Sequence, residues 1–102
     1  NAAEQYLSCD GIRMDLNRRM VFRHSEEIDL SAAEYELLLY LMRNKGKTVT
    51  REKILAQVWD VNGNYVNNNT LTVTIKRLRD KLSQPPCLKT VRSVGYRLED
   101  TI

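Results

Sequence analysis

At 102 residues the chain is long enough for one hydrophobic core and too short for two. Its 42% hydrophobic and 28% charged residues describe an ordinary globular composition, and its longest apolar run, residues 37–42, falls far short of a membrane span. Net charge is only +3, yet residues 69–98 hold seven Lys or Arg against one acid, Asp80, so positive charge is concentrated in the last third of the chain. No basic leader followed by an apolar segment opens the chain, so no secretory signal and no membrane partner are expected, and the expected compartment is the cytoplasm. Cys9 and Cys87 form no CxxC pattern; they can pair in principle, but a reduced, buried pair is the favoured reading.

Residues 1–5 carry no apolar pattern and read as the end of a linker, with the domain proper running over 6–102. The chain begins without Met, as a fragment of a longer protein would. From residue 6 to 30 the segments are short and broken by turn residues. Residues 6–9 precede a turn at Asp10-Gly11; residues 12–16 alternate, 20–22 are apolar, and 26–30 alternate again. That spacing predicts four short strands in an antiparallel meander.

Ser31-Ala32-Ala33-Glu34 is a capping box, in which serine oxygen and glutamate carboxylate each satisfy an otherwise orphaned backbone N–H. Leu37, Leu38, Leu41 and Met42 then recur at helical spacing, and Gly46 supplies the positive φ expected to end this first helix. Thr50 starts a second helix whose apolar face is Ile54, Leu55, Val58 and Trp59. Residues 60–68, rich in Asn and Gly, read as a loop.

A third helix is predicted over 69–82, with Asn68 or Asn69 as its cap and Pro85-Pro86 as its terminator. At about 100° per residue, Leu71, Ile75, Leu78 and Leu82 form one apolar stripe. Asn69, Val73, Lys76, Arg77 and Asp80 lie opposite, with Thr72 and Arg79 on one flank and Thr74 and Lys81 on the other. Last, residues 88–91 and 96–98 flank Arg92-Ser93-Val94-Gly95, a hairpin with Gly95 in the tight bend. Four strands, three helices and a terminal hairpin make an α+β chain of winged helix-turn-helix type.

A short helix with one apolar face and one cationic face is what reading a DNA groove requires. Arginine donates two parallel hydrogen bonds to guanine O6 and N7, whereas lysine and hydroxyl groups position the helix on phosphates. The bland alternative is that these cations only solvate a helix and a hairpin, or that the winged helix makes protein contacts alone. Catalysis has no support: His24 stands alone among strand-turn residues, no Cys/His cluster has metal-ligand spacing, and no Gly-rich phosphate loop occurs, so no catalytic, metal or cofactor site is predicted. RNA binding is compatible with the charge, but no aromatic stacking platform appears in the strands.

The stretches LSAAEYELLLYLMRNKGKTVTREKILAQVW, NNTLTVTIKRLRDKL and LKTVRSVGYRL, in that order, resemble the OmpR/PhoB-type effector domain of bacterial response regulators. The resemblance covers residues 7–98. It implies sequence-specific binding to double-stranded promoter DNA, and a receiver domain before residue 1 that a sensor histidine kinase phosphorylates on aspartate. It also implies dimers on direct-repeat half-sites. It assigns Arg77, Val73 and Thr72 to bases of the major groove and Arg92 to the neighbouring minor groove. Lys76, Arg79, Asn69, Thr74, Thr90, Tyr96 and the Trp59 indole are assigned to the DNA backbone. Asn62, Gly63, Asn64 and Tyr65, in the loop after the second helix, fall where the family touches RNA polymerase. Asn69, Thr72, Thr74 and Ser93 depart from the Arg, Asp, His and Gly frequent at those positions, which removes phosphate contacts and alters base preference. The NNTLTV form resembles a subgroup of Gram-positive regulators of cell-envelope and antibiotic stress.

Overall fold

The computed structural model describes residues 6–59 and 68–100. An N-terminal sheet of four antiparallel strands, β1 (Tyr6–Cys9), β2 (Ile12–Asp15), β3 (Met20–Arg23) and β4 (Glu26–Ile28), runs in sequential order. Its turns follow local chemistry. Asp10 and Gly11 are both left-handed, as are His24 and Ser25, which is the geometry that two-residue hairpins favour. The Asp15 carboxylate accepts from the backbone N–H of Asn17 and of Arg18, fixing the turn between β2 and β3. Cys9, Ile12, Met14 and Val21 project from one face into the core.

The helices α1 (Ala32–Arg43), α2 (Arg51–Val58) and α3 (Asn68–Lys81) pack on one another. The predicted capping box closes α1, with Glu34 N–H donating to Ser31 Oγ and Ser31 N–H donating to Glu34 Oε1. Thr50 caps α2 by accepting from Lys53 N–H. Leu37, Leu38 and Leu41 of α1, Ile54 of α2, and Leu71, Leu78 and Leu82 beside them are sealed from solvent. Among the described residues no helix is long and apolar enough to cross a membrane.

Four local expectations need correction. The helix α1 stops at Arg43 with Asn44 as its C-cap, and Gly46 (φ +87°) shapes the following turn instead, its N–H donating to Leu98 O at 2.7 Å. The helix α3 already includes Asn68 and Asn69, so any capping residue precedes them, outside the described residues. Its far end is closed before the prolines are reached: Gln84 N–H donates to Arg79 O and Ser83 N–H to Asp80 O, with Ser83 left-handed (φ 61°). That pair of bonds is a Schellman closure.

The terminal hairpin, β6 (Leu88–Val91) and β7 (Gly95–Leu98), also differs, in carrying a third strand, β5 (Thr48–Thr50), in the order β5-β7-β6. Its bend is made by Ser93 (φ 65°), while Gly95 lies in β7 opposite Thr50, where β5 comes too close for any side chain.

Two side chains anchor the end of α3. Arg23 of β3 donates through Nη1 to the Leu82 carbonyl, and Lys81 Nζ lies 2.7 Å from the buried carboxylate of Glu34. Both place positive charge at the negative end of the helix dipole. Burial works against the Glu34 carboxylate, but hydrogen bonds from Lys81 and the Ser31 backbone outweigh it and hold its pKa below the ordinary carboxylate range. Such a group contributes stability that is complete above its unfolded pKa, about 4.3, and is lost as pH falls through the folded value. Glu34→Gln should therefore cost about 2 kcal/mol at pH 7 by urea titration. The gap from the parent should narrow below about pH 4; a gap independent of pH would mean that the charge contributes nothing.

Cys9 and Cys87 are both free and buried, as the sequence suggested. Burial pushes both thiols upward, Cys9 well above the usual cysteine range, which keeps them protonated.

Candidate nucleic-acid interface

One face of α3 is inside the protein and the other is outside. Leu71, Ile75, Leu78 and Leu82 are buried, while Asn69, Thr72, Val73, Lys76, Arg77 and Asp80 are exposed. Val73 is 41% exposed, its methyl groups open to solvent on the outer face of the helix. Beside it, Asn69, Thr70, Thr74 and Arg77 complete a shallow hollow along the helix. A groove of about 470 Å³ separates α3 from the C-terminal sheet, with Lys76 and Arg79 on one wall and Thr90 and Tyr96 on the other.

The seven cations of residues 69–98 are not equivalent. Lys81 is paired with Glu34, and Lys89 and Arg97 are paired with Glu99 at 3.5 and 2.8 Å. Arg79 is turned across the groove, where its Nη2 donates to Thr90 Oγ1 at 2.6 Å and to Leu88 O at 3.3 Å. Lys76, Arg77 and Arg92 are exposed, with no hydrogen-bond or ion-pair partner among the described residues. Arg92 stands at the tip of the β6–β7 turn beside Val94, which is 43% exposed. Two cations on α3 and a third at the wing tip, unpartnered among the described residues, leave their charge available to an anionic partner.

The structure thus brings Arg77, Val73, Thr72 and Lys76 together on α3, and sets Arg79, Thr90 and Tyr96 around the groove next to them. Tyr96 is only 4% exposed where it lines the groove, and its hydroxyl accepts from Arg51 Nη1 at 2.9 Å, which leaves the hydroxyl proton to donate elsewhere. Trp59 is half-buried just past α2 and packs on the core. Asn62, Gly63, Asn64 and Tyr65 lie outside the described residues.

Thr74 does not stand where the sequence suggested. It is buried to 8% exposure, and its hydroxyl donates to Thr70 O at 2.7 Å. The reason is helical geometry: Thr74 sits about 40° from Leu78 around the axis, on the margin of the apolar stripe. A hydroxyl that bonds its own backbone one turn back can be buried at little cost.

Arg51 is the residue that sequence reasoning missed. Besides Tyr96, it donates through Nη2 to Thr72 Oγ1 at 2.8 Å. A signal existed, because a cation in the first turn of a helix opposes the helix dipole and needs another reason to be there.

The family described as "Transcriptional regulatory protein, C terminal" matches residues 25–98. The chain belongs to it. This is a family of DNA-binding domains of transcriptional regulators, not of enzymes. The transcriptional regulatory protein CutR of Streptomyces coelicolor is 42% identical over 88 residues, 86% of this chain and 40% of its own length. The chain therefore spans about two fifths of the curated relatives it matches. Among solved structures, the response regulator DrrB of Thermotoga maritima, an OmpR/PhoB homologue, superposes with a TM-score of 0.80 at 32% identity, over 93% of this chain and 44% of DrrB. The DNA-binding domain of Klebsiella pneumoniae RstA, solved in complex with the RstA box, gives a TM-score of 0.80 at 27% identity, over 94% of this chain and 98% of that domain. The winged-helix architecture is thus that of OmpR/PhoB-type effector domains.

Proposed function

We propose that this domain binds double-stranded promoter DNA by laying α3 in the major groove and the β6–β7 turn on the adjacent minor groove. The observation that carries this reading is the selective availability of Lys76, Arg77 and Arg92, when every other cation of residues 69–98 is engaged within the protein. Arg77 reads guanine, and Val73 with the Thr72 methyl packs on a thymine methyl. Arg92 enters a minor groove whose negative potential is strongest where A·T pairs narrow it. Lys76, Asn69, the Tyr96 hydroxyl and the Trp59 indole hold phosphates, with Arg79 and Thr90 lining the same path.

The larger protein is proposed to carry a receiver domain before residue 1, phosphorylated by a sensor histidine kinase in the cytoplasm. Two copies then occupy a direct repeat and meet RNA polymerase through the loop containing Asn62 to Tyr65. Selection of bound fragments from a randomised duplex library tests the DNA reading. The expected result is a short enriched motif, repeated at about one helical turn; a pool no different from the input would overturn it. Lys76→Ala should weaken binding to all sequences alike and flatten the dependence of log K on log salt by about one unit. An unchanged slope would take Lys76 off the phosphate path.

A further inference from the structure

Three parts of the interface meet at one residue. Arg51, the first residue of α2, donates from Nη2 to Thr72 on α3 and from Nη1 to Tyr96 on β7. Its guanidinium carbon also lies 5.7 Å from the centre of the Tyr96 ring. Its backbone N–H donates to the carbonyl of Val94, beside the wing tip that presents Arg92. The side chain is half-buried, and its bond to the exposed Thr72 lies at the surface.

We propose that Arg51 is a positioning residue for DNA recognition, a strut whose planar fork fixes the distance and angle between α3 and the wing. This rests on the DNA-reading assignment above and deepens it. The chemistry favours a strut because a guanidinium presents its donors at fixed angles in one plane, so two acceptors held by it are held relative to each other. An ammonium has neither the span nor the planarity to bridge both oxygens. Major-groove readout by α3 and minor-groove insertion by Arg92 are separate contacts on a rigid duplex, so both form fully only when their spacing matches that of the grooves. Random duplex, held by mobile lysine and arginine heads on phosphates, places no such demand on spacing.

Two variants separate this role from the alternatives, each measured on a selected duplex and on random duplex at two salt concentrations, with thermal unfolding alongside. Arg51→Lys keeps the charge and loses the fork; Arg51→Gln loses both. A strut predicts that both lower affinity for the selected duplex by about tenfold, with random-duplex affinity within about twofold, the salt slope intact and unfolding temperature nearly unchanged.

If Arg51 instead grips a phosphate, Lys should restore binding, while Gln should weaken both duplexes and flatten the salt slope by about one unit; that outcome overturns the proposal. A fall in unfolding temperature with parallel loss on both duplexes would mark a purely structural arginine and overturn it equally. A parent domain that failed to distinguish the selected duplex from random DNA would remove the base-reading assignment itself, before any variant is made.

Discussion

Gly95→Ala is expected to be the most damaging small substitution in this domain, lowering stability by more than about 3 kcal/mol. A methyl group there would overlap the Val49 carbonyl oxygen and come within 2.9 Å of its carbon and 3.0 Å of Thr50 Cα. All three atoms belong to the backbone of β5, so no side chain can swing aside to relieve the clash. Relief requires β5 to separate from β7 at the Thr50–Gly95 pair. That separation pulls on Val49, which is 5% exposed in the core, and on Thr50, whose hydroxyl caps α2. The cost is therefore shared by strand pairing, core packing and a helix cap.

Gly46→Ala provides the control. A methyl at Gly46 meets no atom within 4 Å, so the only penalty is the left-handed φ of +87°, about 1 kcal/mol. Thermal unfolding should place Gly95→Ala more than about 10 °C below the parent, and Gly46→Ala only about 4–8 °C below the parent. Gly95→Ala unfolding alongside Gly46→Ala would show that β5 does not approach β7 as closely as described.

Local chemistry made most of the architecture readable from the chain. Ser31 with Glu34, and Thr50 with its following helix, announce their caps because both partners lie within one turn of sequence. The stripe from Leu71 to Leu82 is equally local, and its burial follows from spacing alone. What stayed hidden depends on partners far along the chain. The strand β5 is only three residues long, wedged between a turn and a helix cap, and the strand it pairs with among the described residues begins at Gly95. Gly95 sits beside a bend, which invites a conformational explanation; its true constraint is steric and is set by a strand 45 residues earlier.

The candidate site divides in the same way. Helical spacing locates Val73, Lys76 and Arg77 on the outer face, but a count of charges overstates the field they create. Lys81 is paired with Glu34, on a helix distant in sequence, and Lys89 shares Glu99 with Arg97 across the C-terminal sheet. Arg79, a phosphate contact by resemblance, already spans the groove to Thr90. The place of Arg51 in the first turn of α2 was a local signal, but its two acceptors lie 21 and 45 residues away and no local pattern names them.

Arg77→Ala should be the substitution that most changes what the domain reads while least changing what it is. Arg77 is exposed midway along α3, with no protein partner among the described residues, so its truncation breaks no contact within the fold. Alanine is also the best helix former, and unfolding temperature should hold steady or rise slightly. A bidentate pair to guanine is worth about 1–3 kcal/mol of discrimination. Affinity for a selected duplex should therefore fall by about tenfold to a hundredfold. Competition between duplexes altered one base pair at a time should show the loss confined to a single position, where all four bases become nearly equivalent. Binding to random duplex should weaken only slightly, because Lys76 and Arg92 remain and one cation among several carries a small share of the phosphate attraction. Were every duplex weakened by the same factor, with base preferences preserved, Arg77 would be a phosphate clamp. The reading of sequence would then have to come from Val73, Thr72 and the wing.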